Sequence, residues 1–400
     1  MTLQKRDVVW LHSHFLYWMG GTKFIFEVAK RLKKSNRVKS LTLIVENASE
    51  LAKTTYKQAG ISLISLDQPT STSAWYWLAF PFHILMDAGK VNQILKNNNL
   101  LPKSTTIISS MFPMNVVAAL LPYRHVQNCY EPFAFFYDSE FISKFSMFKQ
   151  LGIQLLAFLY GGLDKWATRR SDQVLTLNSV TQELMAEVFG VKSDLTQAGV
   201  DSQVFKPYVS APILKKYAKN QVLIHSTDYT PVKGTDRVIK AMQAVAQKYP
   251  QSKLLITSTI NNPLAKAKLE RLATELGIAN QVEFLGFLKY EELPQYYSLA
   301  LGLVQGSSSS RSGTTSMALP VKEALACGTA ALRPNVGAED IIDGVTGFIV
   351  DPSDTAALSE KMMYLVADSK RAKSMGANGR QLILDRYNWE VTAKVFEKHL

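Results

Sequence analysis

Cysteine is nearly missing from this chain of 400 residues, which holds two, Cys129 and Cys327. A disulfide scaffold is therefore excluded, and both thiols read as small apolar core residues in a reducing compartment. Histidine is scarce as well, at six. No set of His, Cys, Asp or Glu has metal-ligand spacing, and there is no Asp-x-Asp pair for a divalent ion, so metal independence is expected. Long hydrophobic runs are also wanting. The most apolar stretch, residues 74–86, is broken by Pro81 and His83 and is too short to cross a bilayer. No secretory leader is read at the start, where residues 1–6 are polar and Asp7 to Leu11 looks like a first strand. Acidic residues are outnumbered 33 to 45, which leaves a net charge of +12.

Such a basic balance favours phosphorylated ligands, nucleic acid or an anionic membrane surface. Nucleic acid fits worst, because the charge is spread out without a stripe of interleaved basic and aromatic side chains. Lys and Arg are dense only at Lys30, Arg31, Lys33, Lys34, Arg37 and Lys39. Two readings stay open there: a cationic helix end answering the helix dipole, or a docking patch for an acidic bilayer. The expected location is cytoplasmic, with peripheral contact at the inner face of the membrane as the second option.

The length exceeds what one hydrophobic core supports, so two domains are expected. Short apolar runs alternate with amphipathic segments of helical length, the pattern of α/β folds with buried parallel strands. Strands are predicted at 8–12, 40–45, 61–66, 105–110, 126–130 and 173–177 in the first half. In the second they are predicted at 221–226, 253–257, 281–285, 300–304, 329–332 and 347–350. The polar segment from Phe205 to Pro212 carries two prolines and suits a linker. Residues 380–400 read as one amphipathic helix containing Trp389. The expected domains are 1–205, 206–379 and a last helix at 380–400.

The densest pattern runs from Ser307 to Pro352. A loop of small residues leads to Leu319-Pro320, where proline suits the first position of a helix. Gly328 can end that helix in the left-handed conformation. Glu323 would then lie in the first turn, beside amides that accept an anion, while its carboxylate accepts hydrogen bonds from sugar hydroxyls. Phosphate and ribose together describe a nucleotide. Upstream, Lys233-Gly234 forms a second candidate phosphate contact, and Gly20-Gly21 permits close approach of a ligand, with Thr22 capping the next helix.

These blocks resemble retaining GT-B glycosyltransferases of glycosyltransferase family 4, the glycosyl transferases group 1. Leu319-Pro320, Glu323-Ala324, Ala326 and Gly328 match that family's nucleotide-sugar motif, and Ile341-Ile342, Asp343-Gly344 and Gly347 match its continuation. Lys233-Gly234, Gly20-Gly21 and the stretch from Ala198 to Pro207 also fall in register. The resemblance implies a GT-B fold, two Rossmann-like domains facing a central cleft, the first binding acceptor and the second binding donor. It implies transfer of a hexose from a nucleotide diphosphate sugar to a glycan or lipid-linked acceptor in cell-envelope polysaccharide synthesis, without a cofactor or metal. Lys233 and the amides of Thr315, Ser316, Met317, Ala318 and Leu319 would hold the diphosphate, and Glu323 the ribose. Glu131 would orient the acceptor, or else be a buried charge beside a cis-proline-like turn.

Three positions depart from the family. Thr315 stands where it has a first glutamate, Asp228 where it has an arginine, and Tyr130 where it has a histidine. Those departures keep an alternative open, a catalytically inactive GT-B subunit that binds glycan, nucleotide or a partner transferase. Asn178-Ser179, Thr181 and Glu339 match family turns, with helix capping or structural hydrogen bonding as equal explanations. His12 and His14 are as ready to pack as to act.

Overall fold

The computed structural model describes residues 5–16, 20–68, 74–143, 145–258, 260–307 and 317–400. The chain divides into two compact units, one built from Met1–Ala198 with Trp389–Leu400, the other from Gly199–Ser310 with Ala318–Asn388.

The first unit is a parallel sheet of β1 (Arg6–Phe15), β2 (Val38–Ala48), β3 (Ser62–Ser65), β4 (Thr105–Ser109), β5 (Arg124–Cys129), β6 (Gln173–Thr176) and β7 (Asp194–Leu195). Their order is β3-β2-β1-β4-β5-β6-β7. Val8, Val9, Trp10 and Leu11 are all fully buried, as expected of a central parallel strand covered on both faces. One face packs on helix Phe80–Asn97 through Phe80, Val91 and Leu95. Another part of the core is closed by the chain's return: Trp389 lies 5.7 Å from Phe24, ring to ring, and Phe396 lies 5.1 Å from Trp10.

The second unit is also parallel, with β8 (Gln221–Thr227), β9 (Ser252–Ser258), β10 (Val282–Phe287), β11 (Gly302–Val304), β12 (Ala330–Arg333) and β13 (Gly347–Ile349). Its order is β10-β9-β8-β11-β12-β13. In each sheet the chain winds outward in one direction, then resumes on the other side of its first strand. That reversal opens a crevice at the carboxyl ends of the two central strands, where doubly wound sheets bind ligands.

All twelve predicted strands are present, and β7 is an addition. Two features of chain organisation differ from expectation. The single helix expected over 380–400 is two, Ser369–Arg386 and Trp389–Lys398. The Val200 amide donates to the Tyr387 carbonyl at 2.8 Å, and Val200 bridges Asn388, which draws that residue pair out of the helix. The stretch expected as a linker starts on a packed residue, and Lys206, Pro207 and Tyr208 after it are exposed. Phe205 is fully buried, 4.9 Å from the Tyr290 ring and 6.1 Å from Tyr297, and it belongs to the second unit.

Candidate functional site

In the second unit, β8 and β11 flank the reversal, and the loops leaving them meet through glycine. A single 3-10 turn, Pro231–Lys233, ends at Gly234 with φ 60°, and helix Thr235–Lys248 follows. A side chain at Gly234 would place its Cβ 1.8 Å from the Gly306 carbonyl oxygen; one at Gly306 would come within 2.4 Å of the Gly234 oxygen. Only two glycines allow this crossing.

A buried chain of hydrogen bonds holds the same corner. His225 Nδ1 lies 2.8 Å from the Val304 carbonyl, which can only accept, so this nitrogen carries the proton. Burial pushes the His225 pKa down to about 4, so the ring is neutral and its Nε2 accepts from Thr235 Oγ1 at 3.0 Å. Thr235 Oγ1 then accepts from Thr227 Oγ1 at 2.8 Å, which accepts from the Tyr229 amide at 2.9 Å. Sequence reasoning passed over His225; its signal was a lone polar ring inside an apolar strand.

Lys233 projects from this turn, about one-third exposed, with Nζ 3.8 Å from Asp228 Oδ2. Asp228 is otherwise occupied, accepting from the Thr230 amide at 2.9 Å and from its hydroxyl at 2.5 Å. The acid at the usual arginine position therefore has partners of its own and does not stand bare beside a bound anion.

The helix after β11 runs Leu319–Ala326. Ala318 caps it in the left-handed region, φ 40°, so the helix opens one residue before Pro320 and Glu323 is its fifth residue. Glu323 thus falls one residue further into the helix than expected, just past its first turn. Val321 and Lys322 amides close onto the Ala318 carbonyl at 3.0 and 3.2 Å. At the far end Gly328, φ 79°, donates to Leu325 and Thr329 donates to Ala324, a Schellman ending. Glu323 is 6% exposed, and its carboxylate adds to the burial that holds the Tyr297 phenol well above its usual range. Met317 groups with the first unit. Thr315 and Ser316 lie outside the described residues.

Beside Glu323 sits a buried ion cluster that sequence reasoning missed. Arg333, fully buried, pairs with Asp340 and donates to the Val336 carbonyl at 2.8 Å. Lys322 Nζ lies 3.9 Å from the other Asp340 oxygen and 5.2 Å from the Tyr387 ring, with its pKa lowered by burial. This cluster fixes the 336–343 loop. Glu339 contributes its backbone carbonyl, which accepts from Tyr387 Oη at 2.5 Å.

In the first unit, helix Gly20–Leu32 already includes Thr22, which is a buried helical residue and not a cap. A Cβ on Gly21 would meet Tyr130 at 3.8 Å, an ordinary contact. Tyr130 and Glu131 follow β5. The tyrosine is buried edge-on against Phe24 at 5.4 Å. Glu131 is half-buried, and the one cis bond among the described residues is Phe112–Pro113, so the buried charge at a cis-proline-like turn is not found. Asn178 caps its helix, accepting from the Thr181 amide at 2.8 Å and from the Thr181 hydroxyl at 3.0 Å. His12 is 9% exposed with its pKa pushed down to about 3 by burial, and His14 is lowered too. Burial disfavours the charged form of both rings, and His12 packs 5.0 Å from the Phe15 ring.

At the carboxyl end of β2 the first unit holds two buried acids. Tyr76 Oη donates to Glu46 at 2.9 Å, and Gln68 Nε2 donates to Asp87 at 2.7 Å. Burial and the neighbouring Asp87 push the Glu46 pKa up to about 8, and burial raises Asp87 to about 6. Among the described residues no cluster of His, Cys, Asp and Glu could hold a metal ion.

Residues 210–382 match a family model described as glycosyl transferases group 1. The match covers less than half of the chain. The matched segment contains Lys233, Gly234, Gly306, Glu323 and the Asp340 cluster. A GDP-mannose-dependent alpha-(1-6)-phosphatidylinositol monomannoside mannosyltransferase of Mycolicibacterium smegmatis is 29% identical over 229 residues, 55% of this chain and 59% of that protein. The chain thus matches less than two thirds of that relative's length. Two solved structures share the fold over 98% of both chains: a glycosyltransferase from Rickettsia africae (TM-score 0.75, 16% identity) and Anabaena HepE in complex with UDP and glucose (TM-score 0.74, 17% identity). The fold is GT-B, with the matched segment in the second of two Rossmann-like domains.

Proposed function

We propose that the protein is a retaining glycosyltransferase that moves a hexose from a nucleotide diphosphate sugar to a glycan or lipid-linked acceptor in cell-envelope synthesis. The observation that carries this reading is the Gly234–Gly306 crossing at the strand reversal of the second unit, with Lys233 on one loop and the Glu323 helix leaving the other. A diphosphate at that corner meets the Lys233 ammonium and the chain around Met317–Leu319, since Pro320 has no amide and Val321 and Lys322 close onto Ala318. Glu323 takes the ribose hydroxyls. The leaving diphosphate accepts the acceptor proton on the same sugar face, so no protein base is required, and stabilising its charge is the dominant contribution. Thr315, which stands at the position of the family's carboxylate, lies outside the described residues. In the first unit, Gly20-Gly21, following β1, borders donor phosphate and acceptor, and Glu131, following β5, orients the acceptor. The mannosyltransferase named above supports a mannose donor as the first to try.

The test is release of nucleoside diphosphate from a panel of UDP-, GDP- and dTDP-sugars. One donor should turn over, and Lys233→Ala should lower its rate by about 10²–10³ with the fold unchanged. Unchanged kinetics would remove Lys233 from the site. The Lys233–Asp228 pair favours a second reading, an inactive nucleotide-binding subunit. Tight nucleotide binding without turnover over a wide set of acceptors would select it.

A further inference from the structure

Helix Met147–Arg169 of the first unit is anchored at one end only. Its buried residues are Tyr160, Gly161, Asp164, Ala167 and Thr168, all in the second half. Tyr160 holds that half down, donating to the Trp77 carbonyl at 2.9 Å with its ring 4.7 Å from Phe80. The first half carries large apolar side chains into solvent: Phe148 is 81% exposed, Phe158 84%, and Met147, Leu151 and Leu155 are more than half exposed. Leu78 and Phe82, sequence neighbours of Trp77 and Phe80, are exposed as well. Isolated exposed apolar residues need no explanation, but a contiguous set on one element marks an interaction surface.

The charges say what covers it. From Met147 to Ser171 the chain carries Lys149, Lys165, Arg169 and Arg170 against one acid, Asp164. That acid is buried and donates no charge to the surface, accepting instead from Asn115 Nδ2 at 2.6 Å. A two-fold contact with a second copy would bring these cations face to face with nothing to answer them. An anionic bilayer answers them and takes the phenyl rings at once. No described helix is long and apolar enough to cross a membrane, so this one would lie in the interface plane. The basic cluster of residues 30–39 is a poorer candidate. Arg31 pairs with Glu27 and Glu390, Arg37 donates to the Glu397 carbonyl, and Lys39 lies 3.5 Å from Asp7.

We propose that the exposed face of helix Met147–Arg169 is a docking surface for an anionic phospholipid bilayer, with Phe148 and Phe158 as its inserted anchors. This stands apart from the transferase reading and survives its failure. The full chain should co-sediment with phosphatidylcholine vesicles containing phosphatidylglycerol and not with phosphatidylcholine alone. Phe148→Ser with Phe158→Ser should weaken binding about tenfold or more while leaving the melting temperature unchanged, because neither ring packs in the core. Lys149→Gln should weaken it about fivefold. Equal binding to neutral vesicles, no binding to either, or wild-type binding by the double serine variant would each overturn the proposal. So would a concentration-dependent dimer that the same double variant abolishes, which would assign the face to a second copy.

Discussion

The two sheets are wound alike, yet the crevices at their carboxyl edges are chemically opposite. In the second unit, cations gather: Lys233 at the reversal, Lys322 and Arg333 around Asp340. In the first, burial disfavours the charged forms: it depresses His12 and His14 and raises Glu46 to about 8 and Asp87 to about 6. One fold thus offers two crevices, and the side chains set into each decide which suits an anion. On the proposed function a pyrophosphate is answered by Lys233 in the second crevice, whereas the groups named for the first bring no cation.

Breaking the glycine crossing is the severest test of that contrast. Gly234→Ala puts a methyl group into the Gly306 carbonyl at a positive φ, so the second unit should lose about 4 kcal/mol or more. Gly21→Ala, in open helix, should leave stability within about 1 kcal/mol of wild type. Thermal unfolding read separately for each unit checks both, and a tolerated Gly234→Ala would show that the loops part easily. Next in size is Asp340→Ala. It strands fully buried Arg333 and should cost about 3–5 kcal/mol, measured by urea unfolding. A loss below about 1 kcal/mol would mean that Lys322 deprotonates and relieves the cluster.

The smallest effect is a pH dependence confined to the first unit. Glu46 and Asp87 hold their protons more tightly folded than unfolded. Their contribution is therefore full below the ordinary carboxyl pKa and is lost as pH rises from about 4.5 to about 8. Glu46→Gln keeps an acceptor for Tyr76 and removes the charge. It should raise the first unit's melting temperature at pH 8 by about 2–4 °C and flatten its decline between pH 5 and pH 8. A variant that melts with the wild-type pH profile would place the titration elsewhere.

The strands were legible because their apolar runs are short and bounded by turn residues, as at residues 105–110 and 221–226. β7 was not, since Asp194-Leu195 has no run to see and is held by β6. The break before Trp389 escaped notice because the amphipathic period continues through it, while the cause, the Val200 amide, lies far back in sequence. Lys233-Gly234 and Leu319-Pro320 could be read as local motifs. The reason Gly234 must be glycine could not, because its partner Gly306 sits on another loop. The Arg333–Asp340 pair and the Glu46–Asp87 cluster join side chains from separate elements, and nothing in linear spacing announces such meetings.

The return of the chain at Trp389 sets the schedule of maturation. Domains made on the ribosome generally close in the order of synthesis. Here the first unit waits for Trp389 and Phe396 before the gap beside Trp10 and Phe24 can be filled. The earliest half to be translated is the last to be completed, and a nascent chain stopped anywhere in the second unit would present an unfinished core to chaperones.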